Sequence, residues 1–191
     1  MFLPFFPLNL VVFPHEDLNL HIFEPRYRQL LQDVETRDIS FGIYFTHAAN
    51  VNKYGSLVKL ESVIKRYPSG ESDIIVKCSD LFSMGTLYRT FKDKLYPGGE
   101  ANMMKIELNA PAGKKLTEQF KDYSTRLNIS QSDKIATIYQ VANELNMDFE
   151  NKLKFVSLEE EKKESYLFQL LHYQQQLLVQ AEKSKDVFHL N

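Results

Sequence analysis

Five residues able to hold a metal ion or move a proton share one short stretch: His15, Glu16, Asp17, His21 and Glu24. Imidazoles and carboxylates this close in sequence bind zinc or iron when the fold turns them toward one point. The spacing opposes that here, because an alternating run separates His15 from His21 and the single-face geometry of H-E-x-x-H is absent. The only Gly-Lys pair, Gly113 and Lys114, has Leu108 where a phosphate-cradling loop needs its first glycine and Lys115 where it needs Ser or Thr. Ser56 follows Gly55 inside a strand pattern, not at a strand-to-helix turn, so it reads as an ordinary strand serine rather than a nucleophile. Cys78, the single cysteine, alternates with Ile74 and Val76 and reads as an inert core thiol. We expect no catalytic residue, no cofactor and no bound metal.

Composition excludes further classes. The 191 residues carry 23 Lys and Arg against 25 Asp and Glu, a net charge of −2, so no global basic field is present to neutralise phosphates. The uncharged opening MFLPFFPLNLVVFP lacks the basic residues of an export signal, and His15, Glu16 and Asp17 interrupt it before the roughly 20 residues a membrane helix requires. It reads as core, with a strand between Pro7 and Pro14. A lone cysteine without an export signal points to the cytoplasm.

Elements of two kinds would carry these residues. Up to about residue 110 the period is two: DLNLHIF, FGIYF, GSLVKLESVIKRY, IIVKC, LFSMGTLY and ANMMKIEL alternate as strands. Within GSLVKLESVIKRY, Val58, Leu60 and Ile64 share the inward face; a hairpin turns near Ser69 and Gly70, and Pro97, Gly98 and Gly99 mark another turn. One short helix intervenes, with Pro25 in its first turn and Tyr27, Leu30, Leu31 and Val34 on one face. These features predict a closed or nearly closed small β unit over 1–110.

From Pro111 the period becomes helical. Leu116, Phe120, Tyr123 and Leu127 form one stripe, and Ile135, Ile138, Tyr139, Ala142 and Leu145 another, capped by Ser130 or Ser132. Ser157 and Glu160 make a capping-box pattern ahead of a long helix carrying Leu167, Leu170, Leu171, Leu177, Leu178 and Ala181, extending to about Lys183 and long enough to brace the β unit. The expected class is α+β, with a helical part over 111–191 packed on the β unit.

FPLNLVVFP followed by LHIFEPRYRQL resembles the opening of the N-terminal domain of Lon proteases, and the likeness continues through FGIYF, YGSLVKLESVIKRYPSG, DIIVKCSDLFSM and the helical C-terminal part. The resemblance implies a PUA-like pseudobarrel followed by a helical bundle, in a domain that engages polypeptide substrates. It implies no proteolysis, since that family's ATPase and serine–lysine peptidase lie in later domains. Within the family-like motif Phe23, Glu24, Pro25, Arg26 and Tyr27, we expect a structural role, Arg26 pairing with a buried carboxylate to lock the helix onto the barrel or else meeting a ligand.

The chain has 14 Phe and 10 Tyr. Tyr44, Tyr54, Tyr67 and Tyr96 fall at strand ends or turns, where a ring can stack on apolar side chains while its hydroxyl stays wet, or can pack at an edge. Tyr54, Tyr67 and Tyr96 are the candidate polypeptide contacts. The expected partners are unfolded or apolar polypeptides, with a protease or chaperone as a further partner and no membrane. The alternative is an RNA-binding module, as in other PUA-like barrels, using Lys53, Lys59, Lys65 and Arg66; the acidic balance opposes it.

Overall fold

A computed structural model describes residues 1–127 and 137–188, with side chains as far as Ala181. Ser130, Ser132 and Ile135 lie outside the described residues. Six strands and five helices are described: β1 Phe2–Leu8, β2 Asp17–Ile22, α1 Pro25–Arg37, β3 Phe41–Phe45, β4 Tyr54–Arg66, β5 Ser72–Tyr88, β6 Gly98–Met103, α2 Lys114–Arg126, α3 Ile138–Glu144, α4 Phe149–Ser157 and α5 Glu160–Phe188. The sheet order is β2-β5-β4-β3-β1-β6, and β5 also pairs with β6, which closes five strands into a barrel with β2 attached to β5. The predicted α+β class and the closure are both present.

The chain divides into two compact units. One comprises Met1–Leu108 with Asp148–Val156, the other Asn109–Met147 with Ser157–Asn191.

In the first unit, Phe5 and Phe82 stack with ring centroids 5.6 Å apart inside the barrel. Two glycines make room for them, since a Cβ at Gly42 would lie 2.7 Å from both rings and one at Gly55 would lie 2.4 Å from Phe82. Helix α1 buries Tyr27, Leu30, Leu31 and Val34, the predicted face, and Pro25 stands in its first turn, where no amide donor is needed. Helix α4, invisible to the period argument, buries Leu153, Phe155 and Val156, and Phe155 packs 5.2 Å from Phe13.

Several expectations change. The first strand covers Phe2–Leu8 and so contains Pro4 and Pro7, while Val11, Val12 and Phe13 are buried without belonging to a strand. IIVKC and LFSMGTLY are halves of one strand, β5. Ile64 is 59% exposed, because bulges at Leu60/Ser62 and Val63/Lys65 shift the phase of β4. Gly98 and Gly99 begin a strand rather than form a turn; a Cβ at Gly98 would sit 2.3 Å from Phe91, and one at Gly99 would sit 2.0 Å from the Thr86 carbonyl oxygen. Strand β6 ends at Met103, so Met104, Ile106 and Leu108 lie outside it. The hairpin at Ser69 and Gly70 is present, with Gly70 at φ 87° and its amide donating to the Tyr67 carbonyl at 2.9 Å.

In the second unit, Leu116, Phe120, Tyr139, Leu145, Leu167 and Leu171 are buried. Helix α3 is capped by Thr137, whose hydroxyl accepts from the Gln140 amide while the Gln140 side chain accepts from the Thr137 amide. Ser157 ends α4, and the long helix starts at Glu160 and continues to Phe188. The fully buried Lys163 donates to Tyr139 Oη at 2.8 Å and pairs with Glu160, meeting the requirement that a buried ammonium have partners.

Candidate functional site

Asp33 on α1 is the residue from which a site grows. It is buried, it accepts from Tyr96 Oη at 2.8 Å, and Lys94 Nζ lies 2.9 Å from its Oδ2. Arg37, one turn further along, lies 3.6 Å away. Burial alone would raise this carboxyl, but hydrogen bonds from Lys94 and Tyr96 and the nearby cations outweigh it and hold Asp33 below its ordinary value. Its partners Lys94 and Tyr96 come from the loop between β5 and β6. The Leu95 amide donates to Gln29 Oε1 at 2.7 Å, so three consecutive residues are tied to α1.

That anchoring holds a strained turn in place. Lys92 and Asp93 have φ of 48° and 61°, and the Lys94 amide donates to the Phe91 carbonyl at 3.0 Å. Two central residues at positive φ are usually Asn or Gly, and Lys there costs on the order of 1 kcal/mol. The Lys92 ammonium lies 5.2 Å from the centre of the Phe91 ring.

A groove of about 580 Å³ runs between this loop, the start of β1 and the segment after α1. Phe2, Leu3, Ile39 and Phe91 supply apolar lining, and Arg37, Lys92 and Lys94 supply charge. Phe2 is 55% exposed and stacks on Tyr88 at 6.4 Å, while Leu87 and Leu95 are also exposed. An apolar side chain as accessible as Phe2 at the rim of a concavity is what a binding surface presents. A second concavity, of about 600 Å³, is lined by Asp122, Arg126, His172, Gln175, Gln176, Val179 and Gln180 and presents no aromatic side chain other than the His172 imidazole.

The sequence candidates do not converge. Tyr54 opens β4 and Tyr67 follows its last residue, roughly 40 Å apart along the strand. Tyr54 is half-buried and set by Asn50, whose side chain bonds the Tyr54 amide and carbonyl, both at 2.9 Å. Tyr67 donates to Asp73 Oδ2 at 2.7 Å, beneath the Lys65 ammonium. Tyr96, expected at the surface, is 1% exposed with its hydroxyl donated to Asp33, and of the three candidates it is the one that belongs to the lining of the groove. Sequence reasoning missed Phe2, Phe91 and Lys92, whose signals were an apolar opening too long for one buried strand and a Lys-Asp pair where a tight turn prefers Asn-Gly.

The motif Phe23 to Tyr27 is mixed in role. Tyr27 is buried 4.2 Å from Phe6, but Phe23 is exposed and stacks on His21. Among the described residues Arg26 meets no buried carboxylate: it pairs with the half-buried Glu24 at 2.8 Å and lies over the Tyr27 ring. Ser56 donates to the Val12 carbonyl at 2.5 Å, a structural role. Of the basic patch, Lys59 pairs with Asp38 and Arg66 with Glu35, which removes two of its four charges. His21 pairs with Asp73 at 2.6 Å. No helix among the described residues is long and apolar enough to cross a membrane.

A small closed barrel, a helical unit and an open groove with apolar lining are the features of the chain that known proteins can be compared with. The chain belongs to the family described as the ATP-dependent protease La (LON) substrate-binding domain, whose pattern matches residues 2–187. The fold is similar to that of the Lon N-terminal domain protein from Xanthomonas campestris, at 20% identity and TM-score 0.69 over 91% of this chain and 98% of that one. It is also similar to the N-terminal domain of Mycobacterium avium complex Lon protease, at 11% identity and TM-score 0.67 over 90% of this chain and 98% of that one. Comparison with curated protein sequences finds no match.

Proposed function

We propose that this substrate-recognition module is non-catalytic and holds unfolded or apolar polypeptide segments in the groove between β1 and the loop before β6, delivering them to a protease or chaperone partner. The observation that carries this reading is the solvent-accessible Phe2, stacked on the exposed Tyr88, at a concavity lined also by Leu3, Ile39 and Phe91 and large enough for one or two large side chains. The family of substrate-binding domains supports polypeptide as the substrate class. The cytoplasm suits such a role, since the lone buried Cys78 needs no oxidising compartment.

An extended segment loses conformational freedom on capture, so the affinity is micromolar or weaker, about −8 kcal/mol at best. Titrating fluorescent apolar peptides against the wild type and the groove variants Phe2→Ser and Ile39→Ser tests the reading. Binding falls roughly five- to tenfold in each variant without loss of fold, as truncating an interface side chain predicts. Failure of the wild type to bind any apolar peptide overturns it.

A further inference from the structure

We propose that the groove selects apolar segments flanked by carboxylates, with Lys92 as the principal discriminating residue. This rests on the reading of the groove as a polypeptide site.

Charge is distributed unevenly around the groove. Arg37, Lys92 and Lys94 line it, and no carboxylate does among the described residues. Asp33, packed beneath, offsets one of these charges through its contact with Lys94. Arg37 stands in the last turn of α1, where it faces the partial negative charge of the helix carbonyls as well as Asp33. That leaves Lys92 as the cation least committed within the fold, its ammonium resting on the Phe91 ring at the groove wall. Asp93, next in the turn, is exposed and does not line the groove.

The backbone points the same way. A turn with two residues at positive φ is easiest for Asn-Gly, yet Lys-Asp occupies it, held by the ties from Lys94, Leu95 and Tyr96 to α1. A carboxylate one or two positions from an inserted apolar side chain would meet Lys92 or Arg37, both of which line the groove. A single-stranded nucleic acid would also meet cations and rings here, but it needs a basic track along its whole backbone, and three cations at one apolar groove do not supply one.

The test uses the full chain and three fluorescent peptides sharing one apolar centre, with flanks of Asp and Glu, of Ser and Gln, or of Lys, and a uridine oligonucleotide of similar length. At low salt the acidic peptide binds roughly five- to tenfold more tightly than the neutral one, the effect of two partly exposed ion pairs, and the gap closes as salt rises. Lys92→Asn, which suits the left-handed conformation and so preserves the loop, lowers the ratio of acidic- to neutral-peptide affinity about threefold. Equal affinity for acidic and neutral peptides overturns the inference and leaves the polypeptide reading standing. Binding of no peptide overturns both. Tighter binding of the oligonucleotide, with a steep salt dependence, also overturns it and assigns the groove to nucleic acid.

Discussion

Lys152 closes on Glu16 from 136 positions away, its Nζ 2.9 Å from Oε1 and 3.0 Å from Oε2, and it also donates to the Val11 carbonyl. Glu16 accepts in turn from the Phe13 amide at 2.8 Å, and the Lys152 ammonium lies over the Phe13 ring. One ion pair thus ties α4 to the segment after β1. Replacing Lys152 by Met leaves a half-buried carboxylate with only its amide donor, and we expect a loss of about 1.5–3 kcal/mol in urea unfolding. Glu16→Gln, which keeps the amide bond, should cost less. Equal stability of Lys152→Met and wild type would contradict this account.

The same helix decides what a truncation does. Cutting after residue 110 removes Asp148–Val156 from the first unit, and with it the packing of Phe155 on Phe13. The fragment 1–110 should bind a hydrophobic dye and melt without a cooperative transition, since uncovering several buried side chains costs roughly 2–5 kcal/mol for each large one. A sharp, reversible melt at the wild-type temperature would show that α4 is dispensable.

Asp33 gives a pH dependence of known sign. Its folded value is held below the ordinary 3.8, so the stabilisation it supplies is complete above that pH and is lost as pH falls through the folded value. Asp33→Asn should therefore be less stable than wild type at pH 7, and the difference should shrink on acidification below about pH 4. Denaturant titrations of both proteins across that range check it. Tyr96→Phe, removing one donor to Asp33, should cost about 1 kcal/mol at pH 7.

Cys78 should resist thiol reagents in the native protein. It is 1% exposed, and burial pushes its thiol up to about 12, so thiolate is scarce at pH 8. Ellman's reagent should react fully in denaturant and only at the rate of opening without it. Rapid stoichiometric reaction of folded protein would refute the buried placement.

Peptide-independent evidence for the groove comes from Gly98. Alanine there would push its Cβ into the Phe91 ring and the Leu3 carbonyl, so Gly98→Ala should lower stability by about 1–3 kcal/mol and disturb the groove wall. Unchanged stability and unchanged peptide binding would mean that Phe91 is free to move.

What the chain determines by itself is whatever depends on near neighbours in sequence. Period-two runs identified β2, β3 and much of β4 and β5, and the i, i+3, i+4 spacing after Pro25 identified α1 with its buried face, because side-chain direction follows directly from local backbone geometry. Tertiary structure decided the rest. Bulges in β4 turned Ile64 outward, close approaches of Phe91 and the Thr86 carbonyl made Gly98 and Gly99 strand residues, and a carboxylate 63 positions away drew Tyr96 inside. The groove belongs to this second kind: Phe2, Ile39 and Phe91 are far apart in sequence, and only barrel closure and the tying of one loop to Asp33 and Gln29 bring them to one surface.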